Sequence, residues 1–482
     1  MRKYLGKTDK LSYICHGKAD KIRPFNIRKG DKDMIKRKID RYLADFFEAN
    51  KKALMLTGAR QIGKTYSIRR FGHEHFDRFI EINFIENPGL VKVFSKAKNS
   101  QDILLRLSTV TSQDLIKGST LVFFDEVQEC PEIVTAIKFL VEEGSYRYVL
   151  SGSLLGVEIK NLRSAPVGYM DVKDMYPLDL EEFATAVGIN DRIIDALRKH
   201  FTEGTAVDEF IHEKMMEVFR LYLIVGGMPA AVDKYLATNN LQDVMAEQQA
   251  IIRLYKQDIA KYDPEHKLYI QEIFDRIPAE LDAKNKRFIL KNLNENIKFA
   301  RYQNSFLWLK DAGVALPVYN VEEPTVPLIL SSSRNLFKLF MADIGLLASL
   351  YADGIQLKIL DNEPSINFGS VYENAVAQEL WAHGFQLYYY NNKRQGELDF
   401  VIEQNGEVLP IEVKSGKDYE RHKALTNVVN STTYQISKAY VLCNDNVKKV
   451  GKITYLPIYM LMFIKKEQKL PTKYSIDLSG LV

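Results

Sequence analysis

From Met34 onward the chain alternates apolar runs with segments of helical period. Ile35, Ile39, Tyr42, Leu43, Phe46 and Phe47 fall on one face of a helix, because residues three and four apart meet on a helix surface. The run Ala53-Leu54-Met55-Leu56 follows as a strand, and strands are predicted again over Phe79–Phe84, Leu121–Phe124, Tyr146–Leu150 and Met170–Met175. Helical segments near Asp102–Thr109 and Glu132–Val141 separate them. Strands that alternate with helices pack as a parallel sheet with helices on both faces, an α/β fold.

Pro177 and the acidic stretch Asp179-Leu180-Glu181-Glu182 close that pattern. Residues 181–260 then have a helical texture, interrupted by a turn at Gly226-Gly227-Met228-Pro229. Helices over Ile289–Ile297 and Asn304–Leu309, a stop at Gly313, and a ribbon of Val314–Tyr319 with Pro327–Leu330 predict a helical, winged-helix-like region. Beyond Gly369 a helix over Val371–Trp381 leads into four strand-like runs, a small α/β domain. The expected organisation is a basic, disordered extension (1–33), an α/β core (34–178), a helical lid or linker (179–262), the winged-helix-like region (263–355) and the small α/β domain (356–482).

Composition changes little in this picture. A chain of 482 residues, 46% hydrophobic and 27% charged, fits a globular protein of about three domains. Cys15, Cys130 and Cys443 lie far apart, which implies neither a disulfide framework nor a zinc site and suits a reducing cytoplasm. The longest apolar run, Leu456–Ile464, is well short of the ~20 residues of a membrane helix, and residues 1–33 lack the apolar centre of a secretory signal. No membrane partner is expected. Charge matters only once it is divided. Residues 1–33 hold ten Lys/Arg and four Asp/Glu, so the net +4 of the chain leaves 56 basic against 58 acidic side chains in residues 34–482. A surface for nucleic acid must therefore be a local patch.

The densest chemistry lies at Gly58-Ala59-Arg60-Gln61-Ile62-Gly63-Lys64-Thr65, between the strand at 53–56 and a predicted helix. It satisfies G-x-x-x-x-G-K-[ST] in the strand-loop-helix setting the motif requires. Glycines let backbone N–H groups surround a phosphate at a helix N-terminus. Lys64 is expected to reach the β- and γ-phosphates of ATP, and Thr65 to ligate Mg²⁺. Sixty residues on, the strand Leu121–Phe124 ends in Asp125-Glu126. Strand ends face the ligand crevice in such a sheet, so Asp125 suits the Mg²⁺ shell and Glu126 suits polarising a water, which favours hydrolysis. Ser151 or Ser153, closing the next strand, is a candidate sensor of the γ-phosphate, and Arg163 a weaker candidate for transition-state charge.

Residues 34–482 resemble a family of bacterial and archaeal AAA+-type ATPases. The stretches that carry the resemblance are Leu56–Thr65, Phe124-Asp125-Glu126-Val127-Gln128, Leu150-Ser151-Gly152-Ser153, Tyr176-Pro177-Leu178, Gly226-Gly227-Met228-Pro229, Tyr372-Glu373-Asn374, Glu397-Leu398-Asp399-Phe400 and Ile411-Glu412-Val413-Lys414. The resemblance implies a P-loop NTPase domain, a winged-helix-like region and a restriction-endonuclease-like domain. Many members carry a Gly-Arg pair after the Gly-Ser turn, where this chain has Ser164-Ala165-Pro166-Val167-Gly168, so the arginine finger has no assignment.

The C-terminal residues also speak for themselves. Strands at 385–390, 397–402 and 407–414, with a hairpin signal at Asn405-Gly406, bring Asp399 toward Glu412 and Lys414. Glu412 and Lys414 are two apart and share a face. This D-x12-E-x-K pattern resembles the PD-(D/E)XK nucleases, in which carboxylates hold a divalent cation that activates water. A second Mg²⁺ on Asp399 and Glu412, completed by Glu373, is the corresponding expectation; an ordinary amphipathic hairpin is the alternative. Lys284, Lys286, Arg287, Lys291, Lys298 and Arg301 ahead of the Gln303–Lys310 helix offer phosphate contacts to DNA or RNA. The expected function is ATP hydrolysis coupled to a nuclease-like domain that acts on or binds nucleic acid, with self-association a further possibility. The alternative is an ATP-dependent scaffold whose C-terminal domain only binds, and a phosphotransferase fits less well because Asp125-Glu126 favours water as acceptor.

Overall fold

The computed structural model describes residues 35–97, 99–111, 114–152, 166–262, 267–283, 286–289, 299–351, 354–361, 363, 368–466 and 475–476. The extension 1–33 and the predicted helix Ile289–Ile297, but for its first residue, lie outside the described residues, as do Ser153, Arg163, Lys284, Lys291 and Lys298.

A helix Lys38–Ala49 buries Ile39, Leu43, Phe46 and Phe47, the face set by the 3.6-residue period. Strands β1 (Ala53–Thr57), β2 (Arg78–Asn83), β3 (Thr120–Asp125), β4 (Arg147–Ser151) and β5 (Met170–Asp174) form a five-stranded sheet in the order β2-β3-β4-β1-β5. Every neighbouring pair is parallel. Helices Lys64–His75 and Pro131–Glu143 return the chain between strands, so β1 and β3 are buried throughout their length. Such parallel strands, buried on both faces, read as unbroken apolar runs. This is the P-loop NTPase arrangement.

Helices Leu180–Ala186, Asp191–Glu203, Glu209–Val225, Pro229–Thr238, Leu241–Tyr262 and Lys267–Asp282 follow. Among the described residues no single helix is long and apolar enough to cross a membrane. Helix Phe299–Asp311 leads through Gly313 into β6 (Ala315–Val321), which pairs antiparallel with β7 (Ser332–Met341). This ribbon differs from the expected wing in two ways. Leu328–Ser331 is a tight helical turn and the second strand begins only at Ser332; Pro327 has no N–H to give a ladder. The other edge of β6 pairs in parallel with β8 (Tyr388–Asn392), Tyr319 opposite Tyr388. A wing stands free, whereas these strands end a larger sheet because Phe337, Leu339, Phe340 and Met341 are buried.

That sheet has eight strands in the order β12-β13-β11-β10-β9-β8-β6-β7, the rest being β9 (Gly396–Gln404), β10 (Glu407–Val413), β11 (Ala439–Cys443), β12 (Lys448–Val450) and β13 (Ile453–Pro457). The helix Phe368–Ala382 covers one face, together with the short turn Ile458–Phe463 that the longest apolar run forms, and helix Lys423–Val429 packs on the other. One apolar core runs from Leu54, Leu56 and Phe123 under the parallel sheet, through Phe219 and Tyr222, to Phe340, Tyr389 and Ile411 of the mixed sheet.

A buried polar joint fixes this continuity. Glu379 accepts from the Leu180 N–H at 2.6 Å and from the Tyr222 hydroxyl at 3.1 Å. His383 Nε2 stands 3.6 Å from the other Glu379 oxygen and 3.8 Å from Asp179, which Lys38 neutralises. Burial first, and Asp179 second, push the Glu379 carboxyl up to about 8. A carboxyl whose pKa is raised in the fold contributes most below its unfolded value, and that contribution is lost as pH climbs through about 8. Glu379→Gln keeps an acceptor for Leu180 and Tyr222 and cannot ionise. Thermal midpoints between about pH 5 and 8.5 are expected to fall with pH in the parent, and to fall less in Glu379→Gln, the variant being the more stable at the alkaline end.

Candidate nucleotide and carboxylate sites

The loop between β1 and the helix Lys64–His75 is shaped by backbone that only certain residues tolerate. Gly58 has φ 129°, and a Cβ there would lie 2.2 Å from the Met175 carbonyl oxygen, so a side chain would break the turn. Gly63 caps the helix at φ 92°, which aims the first helical N–H groups into the loop. Lys64 folds back over the loop and donates to the Gly58 and Ala59 carbonyls at 2.9 and 2.7 Å. Burial pushes its ammonium down to about 8, against the pull of Glu126 and Asp125.

Asp125 ends β3, 2% exposed, and collects donors from neighbouring strand ends. Thr65 Oγ1 and Asn83 Nδ2 donate to Oδ2 at 3.1 and 3.0 Å, while the Glu126 N–H, at 3.1 Å, and Ser151 Oγ donate to Oδ1. Burial outweighs these bonds and raises the carboxyl above its ordinary value. Glu126 adopts a left-handed φ of 55°, and Gln128 Nε2 donates to its carboxylate at 2.5 Å. Thus Lys64, Thr65, Asp125, Glu126 and Ser151 converge as the sequence spacing implies. Asn83 went unrecognised in the sequence; its signal was a polar residue inside the strand predicted over Phe79–Phe84, at the crevice end of β2. The donor set fits a Mg²⁺-nucleotide: a hydroxyl and a carboxylate share one point beside a buried lysine.

The back of the loop is braced by distant chain. Arg60 Nη1 meets Asp258 at 2.6 Å, and the Tyr255 hydroxyl donates to the Arg60 carbonyl at 3.2 Å, both from the helix Leu241–Tyr262. Gly313, at φ 70°, lies so close that a Cβ would sit 3.2 Å from the Ala59 nitrogen. Arg37 Nη1 donates to the Ile62 carbonyl at 3.0 Å and Nη2 to the Tyr176 carbonyl at 2.7 Å.

The C-terminal carboxylates come together through strand register. Ile411 pairs with Phe400, which sets Glu412 of β10 next to Asp399 of β9. Asp399 accepts from the Val413 N–H at 2.8 Å, and Lys414 Nζ donates to Glu412 at 2.7 Å, leaving Glu412 Oε2 buried with no partner. Burial raises both carboxyls, helped at Asp399 by Glu373 and Glu412. Glu373 does not complete this group as a metal ligand. It pairs with Lys286 and, at 3.5 Å, with Lys338, which also reaches Glu397 at 2.8 Å. Burial opposes ionisation of Glu373, yet Lys338 and Lys286 hold its carboxyl below the ordinary range. Lys338 stands on β7, is fully buried, and lies 5.2 Å from the Tyr389 ring centre. Among the described residues no three His, Cys, Asp or Glu side chains are placed to hold a metal ion. Glu373 is thus committed to Lys286 and Lys338 rather than to Asp399 and Glu412, whose Oε2 stays without a partner.

Removing one partner of a buried ion pair strands the other's charge, at about 3–5 kcal/mol. Lys338→Met is expected to lower stability to denaturant by that order, and Lys338→Met with Glu373→Gln to recover a large part of it. Simple addition of the two single losses would show that the pair does not couple.

Sequence comparison matches residues 50–184 to a family model described as an AAA domain, and residues 216–359 and 368–461 to two domains of unknown function, DUF8612 and DUF4143. No curated protein matches the sequence. Among solved structures, the Walker-type ATPase PABY2304 of Pyrococcus abyssi is 17% identical with a TM-score of 0.39, over 66% of this chain and 96% of its own. ORC1 of Aeropyrum pernix, solved in complex with DNA, is 11% identical with a TM-score of 0.28, over 67% and 91%. RuvB of Thermotoga maritima is 14% identical with a TM-score of 0.26, over 60% and 89%. Such overlaps are too low to bear on function. With its phosphate loop, parallel sheet and family match, the segment 50–184 is an AAA-type P-loop ATPase domain.

Proposed function

We propose that the protein hydrolyses ATP at Lys64, Thr65, Asp125 and Glu126, and couples turnover to a C-terminal nuclease-like domain that acts on or binds nucleic acid. The observation that supports this most is the 3.1 Å bond from Thr65 Oγ1 to Asp125, made where the loop's helix begins. These two side chains would hold Mg²⁺, which when bound neutralises charge on the β- and γ-phosphate oxygens. The loop from Gly58 to Gly63 wraps the phosphates with its N–H groups, and Lys64 exchanges its carbonyl partners for phosphate oxygens. Glu126, oriented by Gln128, positions the attacking water and draws its proton. Ser151 and Asn83 hold Asp125 in place, and Ser151 is also the candidate to sense the γ-phosphate. On this reading residues 34–178 turn over ATP, 179–262 and 263–355 carry the change, and 356–482 deliver the output.

A second reading, in which the C-terminal domain binds without cleaving, is favoured by Lys338 and Lys286 on Glu373.

Lys64→Ala and Glu126→Gln are expected to lower phosphate release by at least about a hundredfold, the scale on which a positioned base or charge contributes. Glu126→Gln should still retain a fluorescent ATP analogue. Full turnover in both variants would overturn the assignment. Incubating plasmid and single-stranded substrates with Mg²⁺ or Mn²⁺ separates the two readings of the C-terminal domain: cleavage lost in Asp399→Ala and Glu412→Ala supports a nuclease, and no cleavage supports a binding module.

A further inference from the structure

The neutral average of residues 34–482 conceals a concentrated positive surface. Residues 438–466 contain six lysines and a single acidic residue, Asp445. Folding gathers most of these lysines around two adjoining hollows of about 280 and 260 Å³, between the end of the helix Asp191–Glu203 and one end of the eight-stranded sheet. Lys465 and Lys466 line the first, Lys449 and Lys452 the second, and Lys438 both. Phe201 and Tyr440 also line both and so form the wall between them. Strand register builds this floor, since Tyr440 of β11 sits opposite Thr454 of β13 and beside Ile411 of β10.

Three features define what fits. Lys438, Lys449, Lys452 and Lys466 make no ion pair among the described residues, and the one carboxylate on the lining, Glu203, faces Lys199 at 3.9 Å. The Phe201 and Tyr440 rings meet edge to face at 6.2 Å and are both partly exposed, with Lys438 Nζ 5.8 Å from the Tyr440 ring centre. Uncommitted lysines follow a phosphate backbone without reading sequence, and exposed ring faces stack on bases that are not already stacked in a duplex. An acidic polypeptide would satisfy the lysines and leave the aromatic wall unused.

We propose that this groove binds single-stranded nucleic acid, its phosphates running along Lys438, Lys449, Lys452 and Lys466 and its bases stacking at Phe201 and Tyr440. The proposal rests on the nucleic-acid reading above and uses residues other than Asp399, Glu412 and the basic segment ahead of helix Phe299–Asp311.

The test is fluorescence anisotropy of a labelled oligo(dT) of about 20 nucleotides with the full chain, at several salt concentrations. Lys438→Glu with Lys452→Glu is expected to weaken binding by about tenfold or more and to flatten the salt dependence by about 1.4 in slope, near 0.7 for each single-strand phosphate that a lysine no longer neutralises. Lys449→Ala with Lys466→Ala should act in the same direction and more mildly, and thermal midpoints of all variants should match the parent. A parent that binds neither single strand nor duplex would refute the nucleic-acid reading itself. A parent that binds while both lysine pairs are silent would refute only the groove, as would a preference for duplex. Displacement of the oligonucleotide by polyglutamate of equal charge, as effectively as by unlabelled strand, would point to an acidic protein partner and overturn the proposal.

Discussion

A phosphate-binding loop needs an open mouth and a rigid back. In this protein the back is supplied by chain far downstream. Asp258 holds the Arg60 guanidinium, Tyr255 donates to the Arg60 carbonyl, and Gly313 packs closely against Ala59. An exposed pair of this kind contributes little, but Arg60 and Asp258 are mostly buried, where losing one partner costs far more than the pair itself gains. The helix Leu241–Tyr262 and the turn at Gly313 thus form the outer wall against which the loop rests.

The same brace has a second end. Gly313 leads directly into β6, and β6 pairs Val318 with Lys338 of β7, the lysine that enters the C-terminal carboxylate group. A short run of covalent and ladder bonds therefore leads from Gly313, which abuts the phosphate loop, to Lys338, which pairs with Glu373. Packed, hydrogen-bonded elements of this sort transmit displacement because they have few intermediate arrangements. The continuous core from Leu54 to Ile411 likewise links the two sheets.

What the sequence disclosed divides along the distance between interacting residues. The phosphate loop was legible because its chemistry is local: glycine spacing, the preceding apolar strand and the following helix lie within a few turns of one another. Asp125 was legible because parallel strands present their C-terminal ends together. Asn83 obeys the same geometry, yet a lone asparagine carries no motif. Asp399, Glu412 and Lys414 were found from a hairpin, but Lys338 enters from β7 across the sheet, and no spacing along the chain announces that. A free wing and the edge of a large sheet look alike along a sequence, because only the partner of the outer strand separates them. The clustered lysines after Lys438 vanish in a net charge taken over residues 34–482, and only folding brings them to one end of the sheet.

The shared sheet also bears on how the chain can be divided. Two of its eight strands, β6 and β7, come from the region expected to be a separate winged helix, and β8 gains its second neighbour from them. A fragment cut near residue 356 would keep the six strands from β8 to β13 and lose that neighbour. It would offer the hydrogen-bonding edge of β8, with the buried rings of Tyr388, Tyr389 and Tyr390, to any passing strand, the hazard that folded proteins avoid by covering their edges. The C-terminal sheet is thus completed by the middle of the chain.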